Sequence, residues 1–327
     1  MAKEENSIDV AVVMVPYPAQ GHINPLLHFS GRLVSAAHNV SVYFVGTAPY
    51  LRQAKVRVHG WDPSSAANMH FHELTALQFQ HPSSIEITAD LIPLIAATAQ
   101  IREPFHAFVN ELSIKYRKVV VVHDDLMSYV VQDIQNVEAY RFHVGSACDT
   151  FGFHRETQAP MTETPPEAAE VLKKTLSSDS LLTPGAFEYR HMQESARKVF
   201  SGDIYNSNRE IEGLFFDLLE KEKARGAEKV SCLGPFNPVS ISEIRPRNAV
   251  LITKVLKIGV EVLNWELREE IVSADTVEKA VRTLMASEEG EELRERAKEL
   301  GKRVKNSMME GGGARKEFDL FITQITR

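Results

Sequence analysis

The sequence predicts an α/β fold built on a parallel sheet. Two runs, VAVVMV at residues 10–15 and KVVVVHDD at 118–125, are apolar without alternation, the pattern of strands covered on both faces. Helical patterns separate such runs throughout the first half, which calls for right-handed crossovers between parallel neighbours. Polar residues close both runs: His22 follows the first and Asp124 ends the second. Open α/β sheets keep ligands and chemistry at the carboxyl ends of their strands, so these two residues carry a site address.

Taken in order, the first strand runs into a polar loop carrying His22, after which Asn24 is a suitable N-cap and Pro25 fits the first helical position. Leu26, Leu27, Ser30, Leu33, Val34 and Ala37 then repeat at helical spacing. Residues 39–46 are β-branched and aromatic, hence a second strand, and 69–74 a third. A helical stretch at 89–116 is interrupted at Pro93 and Pro104. Strands are expected again at 140–145 and 203–206. Between them a proline-rich loop at 155–185 holds a short helix at 167–176, and a helix follows at 187–199. Ser207-Asn208-Arg209-Glu210 reads as a capping box for a helix at 211–223, and residues 233–238 as a domain exit. The division falls at 240: residues 1–240 form one domain and 241–327 a structurally short second part. That part shows a helix at 247–257, a strand at 259–263 and charged amphipathic helix beyond 274, with Gly311 to Gly313 as a hinge.

Composition narrows the function. A chain of 327 residues, 43% hydrophobic and 25% charged, can bury two cores, and a net charge of −7 without a basic stripe excludes a nucleic-acid binder. No run is apolar enough for a membrane span and the start lacks a signal-peptide pattern, so a cytoplasmic protein is expected. Cys148 and Cys232 are too few and too distant for a zinc site or a disulfide framework, and read as small buried apolar residues. No metal-ligand spacing, GxSxG elbow, GxGxxG turn or phosphate loop is present, so neither metal nor cofactor is expected. Of the other histidines, His123 precedes Asp124 and so points to the other face, while His143, His154 and His191 show no partner spacing.

His22 and Asp124 thus stand out as a dyad. A carboxylate beside an imidazole fixes its tautomer and stabilises the imidazolium that forms when the ring takes a proton. The alternative is that His22 merely hydrogen-bonds a loop and Asp124 caps the next helix.

The stretch Pro16-Tyr17-Pro18-Ala19-Gln20-Gly21-His22-Ile23-Asn24-Pro25 resembles the N-terminal signature of plant UDP-dependent glycosyltransferases of family 1. Val122-His123-Asp124-Asp125-Leu126-Met127, Tyr205-Asn206-Ser207, residues 233–238, residues 246–253 and Glu310-Gly311-Gly312 narrow the resemblance to the zeatin O-glucosyltransferase and O-xylosyltransferase group. The resemblance implies the GT-B architecture, with two facing Rossmann-like halves, the first for a hydrophobic acceptor and the second for a UDP-sugar. It also implies an inverting transfer of glucose or xylose to a hydroxyl of a zeatin-like cytokinin or another small plant metabolite. His22 would be the general base and Asp124 its orienting partner, with the UDP-sugar as co-substrate. Acceptor contacts are expected from Gly21, from Gln78 and Phe79 in the loop at 76–88, and from Met127.

The match breaks off where the donor should bind. Members of the group carry a Trp-Ala-Pro-Gln element and a His-Cys-Gly-Trp-Asn-Ser element. Here the only tryptophans are Trp61 and Trp265, and residue 238 passes within a few residues into Pro246-Arg247-Asn248-Ala249. An internal deletion of most of the UDP-sugar half accounts for this, leaving that half truncated to mainly helices. Two readings follow, an active transferase and a catalytically inactive acceptor-binding remnant. The loss also predicts apolar faces uncovered at Val250, Leu251, Val255, Leu256 and Ile258, and self-association through the C-terminal helices.

Overall fold

The computed structural model describes residues 9–58, 67–75, 98–157, 163–173, 184–196, 200–223, 229–236, 251–263 and 270–327. Seven parallel strands form the sheet: β1 (Val10–Val15), β2 (Val40–Gly46), β3 (Met69–Glu73), β4 (Lys118–Asp124), β5 (Glu138–His143), β6 (Gly202–Tyr205) and β7 (Lys229–Cys232). Their order across the sheet is β3-β2-β1-β4-β5-β6-β7. The chain winds outward from β1 in one direction and then from β4 in the other. The carboxyl ends of β1 and β4 therefore flank the point where strand order reverses, the place where such sheets open a crevice.

Helices α1 (Gln20–Ala36), α2 (Ala48–Val56), α3 (Arg102–Lys115), α4 (Ser128–Val131), α5 (Ala147–Thr157), α6 (Pro166–Lys173), α7 (Pro184–Ser195) and α8 (Arg209–Lys223) follow the strands. Alternate residues of β1 and β4 face opposite layers, which explains why residues 11–14 and 119–122 include no polar residue. Val10, Val12 and Met14 pack with Leu26, Phe29 and Leu33 of α1, whereas Ala11, Val13 and Val15 pack with Phe105, Val109 and Leu112 of α3. A third cluster, around Phe151, Phe215 and Leu219, covers the β7 edge.

Three expectations are corrected. Helix α1 begins at Gln20, with Ala19 at its N-cap and Pro25 inside it, so His22 sits in the first helical turn rather than in a loop. Pro25 removes one backbone donor near the helix start, a loss outweighed by burying Ile23, Leu26 and Leu27 completely. Asn24 instead accepts a 2.6 Å hydrogen bond from Arg57. At α8 the cap is Asn208, whose Oδ1 accepts from Glu210 N at 2.9 Å, while Ser207 donates to Glu212 at 2.6 Å in place of a reciprocal box.

Past residue 240 the described residues hold no strand. A π turn (Leu251–Val255) stands where helix 247–257 is expected, and residues 259–263 make no ladder. Helices α9 (Ala274–Ala286), α10 (Glu288–Ser307) and α11 (Gly313–Thr326) complete the chain. The Gly311 to Gly313 segment is a tight turn. Gly311 has φ +80°, and a Cβ on Gly312 would lie 2.3 Å from the Ser307 carbonyl oxygen. The predicted apolar exposure at 251–258 is also corrected, because Leu251 is buried and Val255 and Leu256 pack on the third cluster. Val250 lies outside the described residues. The exposed apolar stripe is on α9, where Val277, Val281 and Met285 stand 45%, 54% and 64% exposed at i, i+4 and i+8.

Candidate active site at the reversal of strand order

His22 and Asp124 meet. Nδ1 of His22 lies 2.8 Å from Oδ2 of Asp124, across 102 residues of sequence, with the two residues 6% and 0% exposed. The other carboxylate oxygen, Oδ1, accepts from Leu126 N at 3.0 Å, so backbone and imidazole together fix the aspartate. With its proton on Nδ1, the imidazole donates to Asp124 and carries its lone pair on Nε2. Protonation of that nitrogen is then favoured by a carboxylate already in place.

Tyr17 orients the ring from the other side, its own ring 5.2 Å from the imidazole and edge-on at 63°. Tyr17 in turn lies 6.3 Å from Tyr189 of α7, whose hydroxyl donates to the Leu126 carbonyl at 2.7 Å. Burial is the largest cause that pushes both phenols well above the ordinary tyrosine range, so they act as neutral groups. The turn after β4 is tied down further. Gln193 accepts from Tyr129 N at 2.8 Å, and Arg102 donates to the carbonyls of Tyr129 and Gln132. A dyad on a rigid strand end and a fastened turn is preorganised for proton transfer.

Behind the dyad lies a layer of buried charge. Arg141 donates to Asp203 at 2.7 Å and to Glu194 at 3.0 Å, His143 reaches Asp203 at 2.7 Å, and Arg190 pairs with Asp149 at 3.2 Å. His123, fully buried beside this layer, is pushed down to about 3 mainly by burial, against which its bond to the Asp124 carbonyl works. The sequence reading missed the layer. Its members come from β5, β6, α5 and α7, and only the pairing of β5 with β6 puts Arg141 opposite Asp203.

Of the expected acceptor contacts, Gly21 sits half-buried in the first turn of α1 beside His22. Met127 is fully buried within the second cluster, beneath the turn. Gln78 and Phe79 lie outside the described residues. Among the described residues, His22, Asp124 and Asp125 form the group whose potential metal-ligating atoms all lie within 4.8 Å of one another. Both Asp124 oxygens are already engaged there. Cys148 and Cys232 are buried and in no disulfide. Among the described residues no helix is long and apolar enough to cross a membrane.

The sequence and the fold both have known counterparts. The chain is 28% identical to the zeatin O-xylosyltransferase of Phaseolus vulgaris over 458 aligned positions, covering 97% of this chain and 98% of that protein. It is 29% identical to the zeatin O-glucosyltransferase of Phaseolus lunatus over 471 positions, covering the whole of both. Those alignments exceed the 327 residues of this chain by more than a hundred positions, so a long stretch of the relatives has no counterpart here. Among solved structures, a UGT transferase from Siraitia grosvenorii in complex with UDP superposes with a TM-score of 0.73 at 15% identity, covering 98% of this chain and 100% of that one. A UDP-glucosyltransferase from Polygonum tinctorium superposes with a TM-score of 0.75 at 12% identity, covering 98% and 99%. The fold is thus GT-B-like, with its second half shortened. Residues 8–238 match the family described as glycosyltransferase, N-terminal domain, and the chain belongs to that family.

Proposed function

We propose that this chain uses the crevice at β1 and β4 to bind a small hydroxylated acceptor of the zeatin type, and that His22 is the general base for its glycosylation by a UDP-sugar. The 2.8 Å pair between His22 and Asp124, set where strand order reverses, carries the reading. The acceptor hydroxyl gives its proton to Nε2 as its oxygen attacks the anomeric carbon. The bond from that carbon to the UDP oxygen breaks with inversion, and UDP leaves with the electron pair. Asp124 stabilises the imidazolium until the proton passes to solvent. In this reading residues 1–240 form the acceptor domain and 241–327 what is kept of the donor half.

A second reading, acceptor binding without turnover, is favoured by one observation. The donor elements expected between residue 238 and residue 246 are missing, and the described residues from 251 to 263 form no strand that could aim a helix N-terminus at a pyrophosphate. Thermal unfolding separates the two. At 100 times its dissociation constant a ligand adds about 2.7 kcal/mol, a rise of several degrees. Trans-zeatin is expected to raise the midpoint under either reading, and UDP-glucose or UDP-xylose only if the chain is a transferase. A chain that responds to none of the three would overturn both.

The stripe on α9 adds self-association to the proposal. Val277, Val281 and Met285 form an apolar row open to a second copy along one side of the helix. Sedimentation is expected to show a dimer that Val281→Glu converts to monomer; a wild-type monomer at high concentration rejects the interface.

A further inference from the structure

Asp124 offers Oδ2 to His22 only while its other oxygen is held by Leu126 N, in the 3-10 turn (Asp125–Met127) that leaves β4. These are the two partners of that carboxylate among the described residues. The direction of Oδ2 therefore depends on where the turn holds the Leu126 N–H. Leu126 is fixed in turn from outside the strand. Its carbonyl accepts from the Tyr189 hydroxyl at 2.7 Å, and three residues on Tyr129 N donates to Gln193 Oε1 at 2.8 Å. Thr98 Oγ1, 3.3 Å from the same phenol oxygen, can donate to it and leave the phenol proton for Leu126. Tyr189 and Gln193 stand four residues apart on α7 and so share one face, where both are buried. The next pair along the same helix, Arg190 and Glu194, meets Asp149 at 3.2 Å and Arg141 at 3.0 Å. One pair seats α7 on the buried charge, and the other grips the turn that carries the dyad's aspartate.

We infer that Tyr189 and Gln193 are positioning residues for the His22–Asp124 dyad, holding the turn where Leu126 N locks Asp124 and aims Oδ2 at Nδ1. The inference rests on the general-base reading above and adds that α7, which supplies no member of the dyad, sets the base. Without the phenol proton, the Leu126 carbonyl is a buried acceptor short of a donor, and the turn moves to satisfy it. The Leu126 N–H then leaves Oδ1, and the carboxylate is free to rotate away from the ring. His22 loses part of the charge that favours its imidazolium and part of the contact that keeps its proton on Nδ1. Its affinity for a second proton therefore falls. The other groups about the ring, Asp125 and Tyr17, are untouched by the change.

Nitrogen NMR of the imidazole rings in the full chain tests this, with His22 assigned by its loss in His22→Ala. Tyr189→Phe keeps the ring and deletes one hydroxyl. In that variant the protonation midpoint of His22 is expected to fall by about 0.5–1 pH unit, and the Nε2–H tautomer to become populated. UDP release with trans-zeatin and UDP-glucose is expected to lose about tenfold to a hundredfold in kcat, the cost of a misplaced catalytic group. KM should stay within about twofold, and the acid limb of the rate profile should move to lower pH with the His22 midpoint. Gln193→Met removes the acceptor for Tyr129 N and is expected to shift both readouts the same way; it serves should Tyr189→Phe fail to fold. A His22 midpoint and rate profile unmoved in both variants, even beside a lower melting temperature, overturns the positioning role and leaves the base reading standing. A loss confined to KM also overturns it, because the phenol would then touch the acceptor. If the wild type releases no UDP, the base reading falls, and the nitrogen titration still decides whether α7 sets the dyad.

Discussion

On the proposed role of His22 as general base, His22→Ala is expected to lower kcat/KM for acceptor glycosylation by about two to four orders of magnitude, the range a positioned general base supplies. The loss is expected on kcat, because a base of that kind acts on a proton that moves only in the transition state. Asp124→Asn is expected to cost nearly as much with the histidine intact. An amide at that position can present its NH2 group to Nδ1, which favours the tautomer that carries its proton on Nε2 and has no base to offer. The double variant is expected to be little worse than either single one, since two residues acting as a unit are not additive. UDP release with trans-zeatin and UDP-glucose or UDP-xylose measures all three. Wild-type rates in His22→Ala would remove the dyad from the mechanism. A wild type that binds zeatin but releases no UDP would select the remnant reading. Folding serves as an internal control, because His22 occupies the first turn of α1, where Ala is the better helix former.

The dyad and the sheet were legible for the same reason. VAVVMV and KVVVVHDD are so uniformly apolar that only two-sided burial explains them, and a polar residue at the end of such a run has few places to be. Legibility failed where a residue's surroundings come from far along the chain. Arg141 and His143 lie on a strand whose sequence, EAYRFH, carries charge in its interior, and nothing local shows that Asp203 lies opposite. The same holds for Tyr189, fastened to the Leu126 carbonyl from a helix without a motif. The start of α1 was misread because Asn24 and Pro25 satisfy a local rule that tertiary burial overrode. Beyond residue 240, amphipathic pattern was read correctly as helix at 274–327, but a segment with no sheet neighbour could not keep the strand its composition favours.

Phe321→Ala is expected to destabilise the chain by about 3–5 kcal/mol, the range for removing a buried aromatic ring. By sequence, α11 belongs to the shortened second half, yet Phe318, Phe321 and Ile325 are buried in the same cluster as β1 and α1. Phe321 lies 5.8 Å from Phe29 and 5.1 Å from Tyr140, and Phe318 lies 6.3 Å from Phe29. The helix is also tied by its polar groups. Glu317 accepts from Cys232 N and from Arg209, both at 2.7 Å, and Lys118 donates to the Gln324 carbonyl at 3.1 Å. Arg117 donates to the carbonyls of Thr326 and Arg327, placing positive charge at the helix C-terminus where the macrodipole favours it. One face of the sheet is therefore closed by the last helix of the chain, so a shortened stretch between β7 and α11 need not uncover it. Denaturant unfolding checks this. Phe318→Ala combined with Phe321→Ala should cost less than the sum of the single changes, because both rings fill one space around Phe29. An unchanged midpoint in Phe321→Ala would mean that α11 does not dock on the sheet in solution.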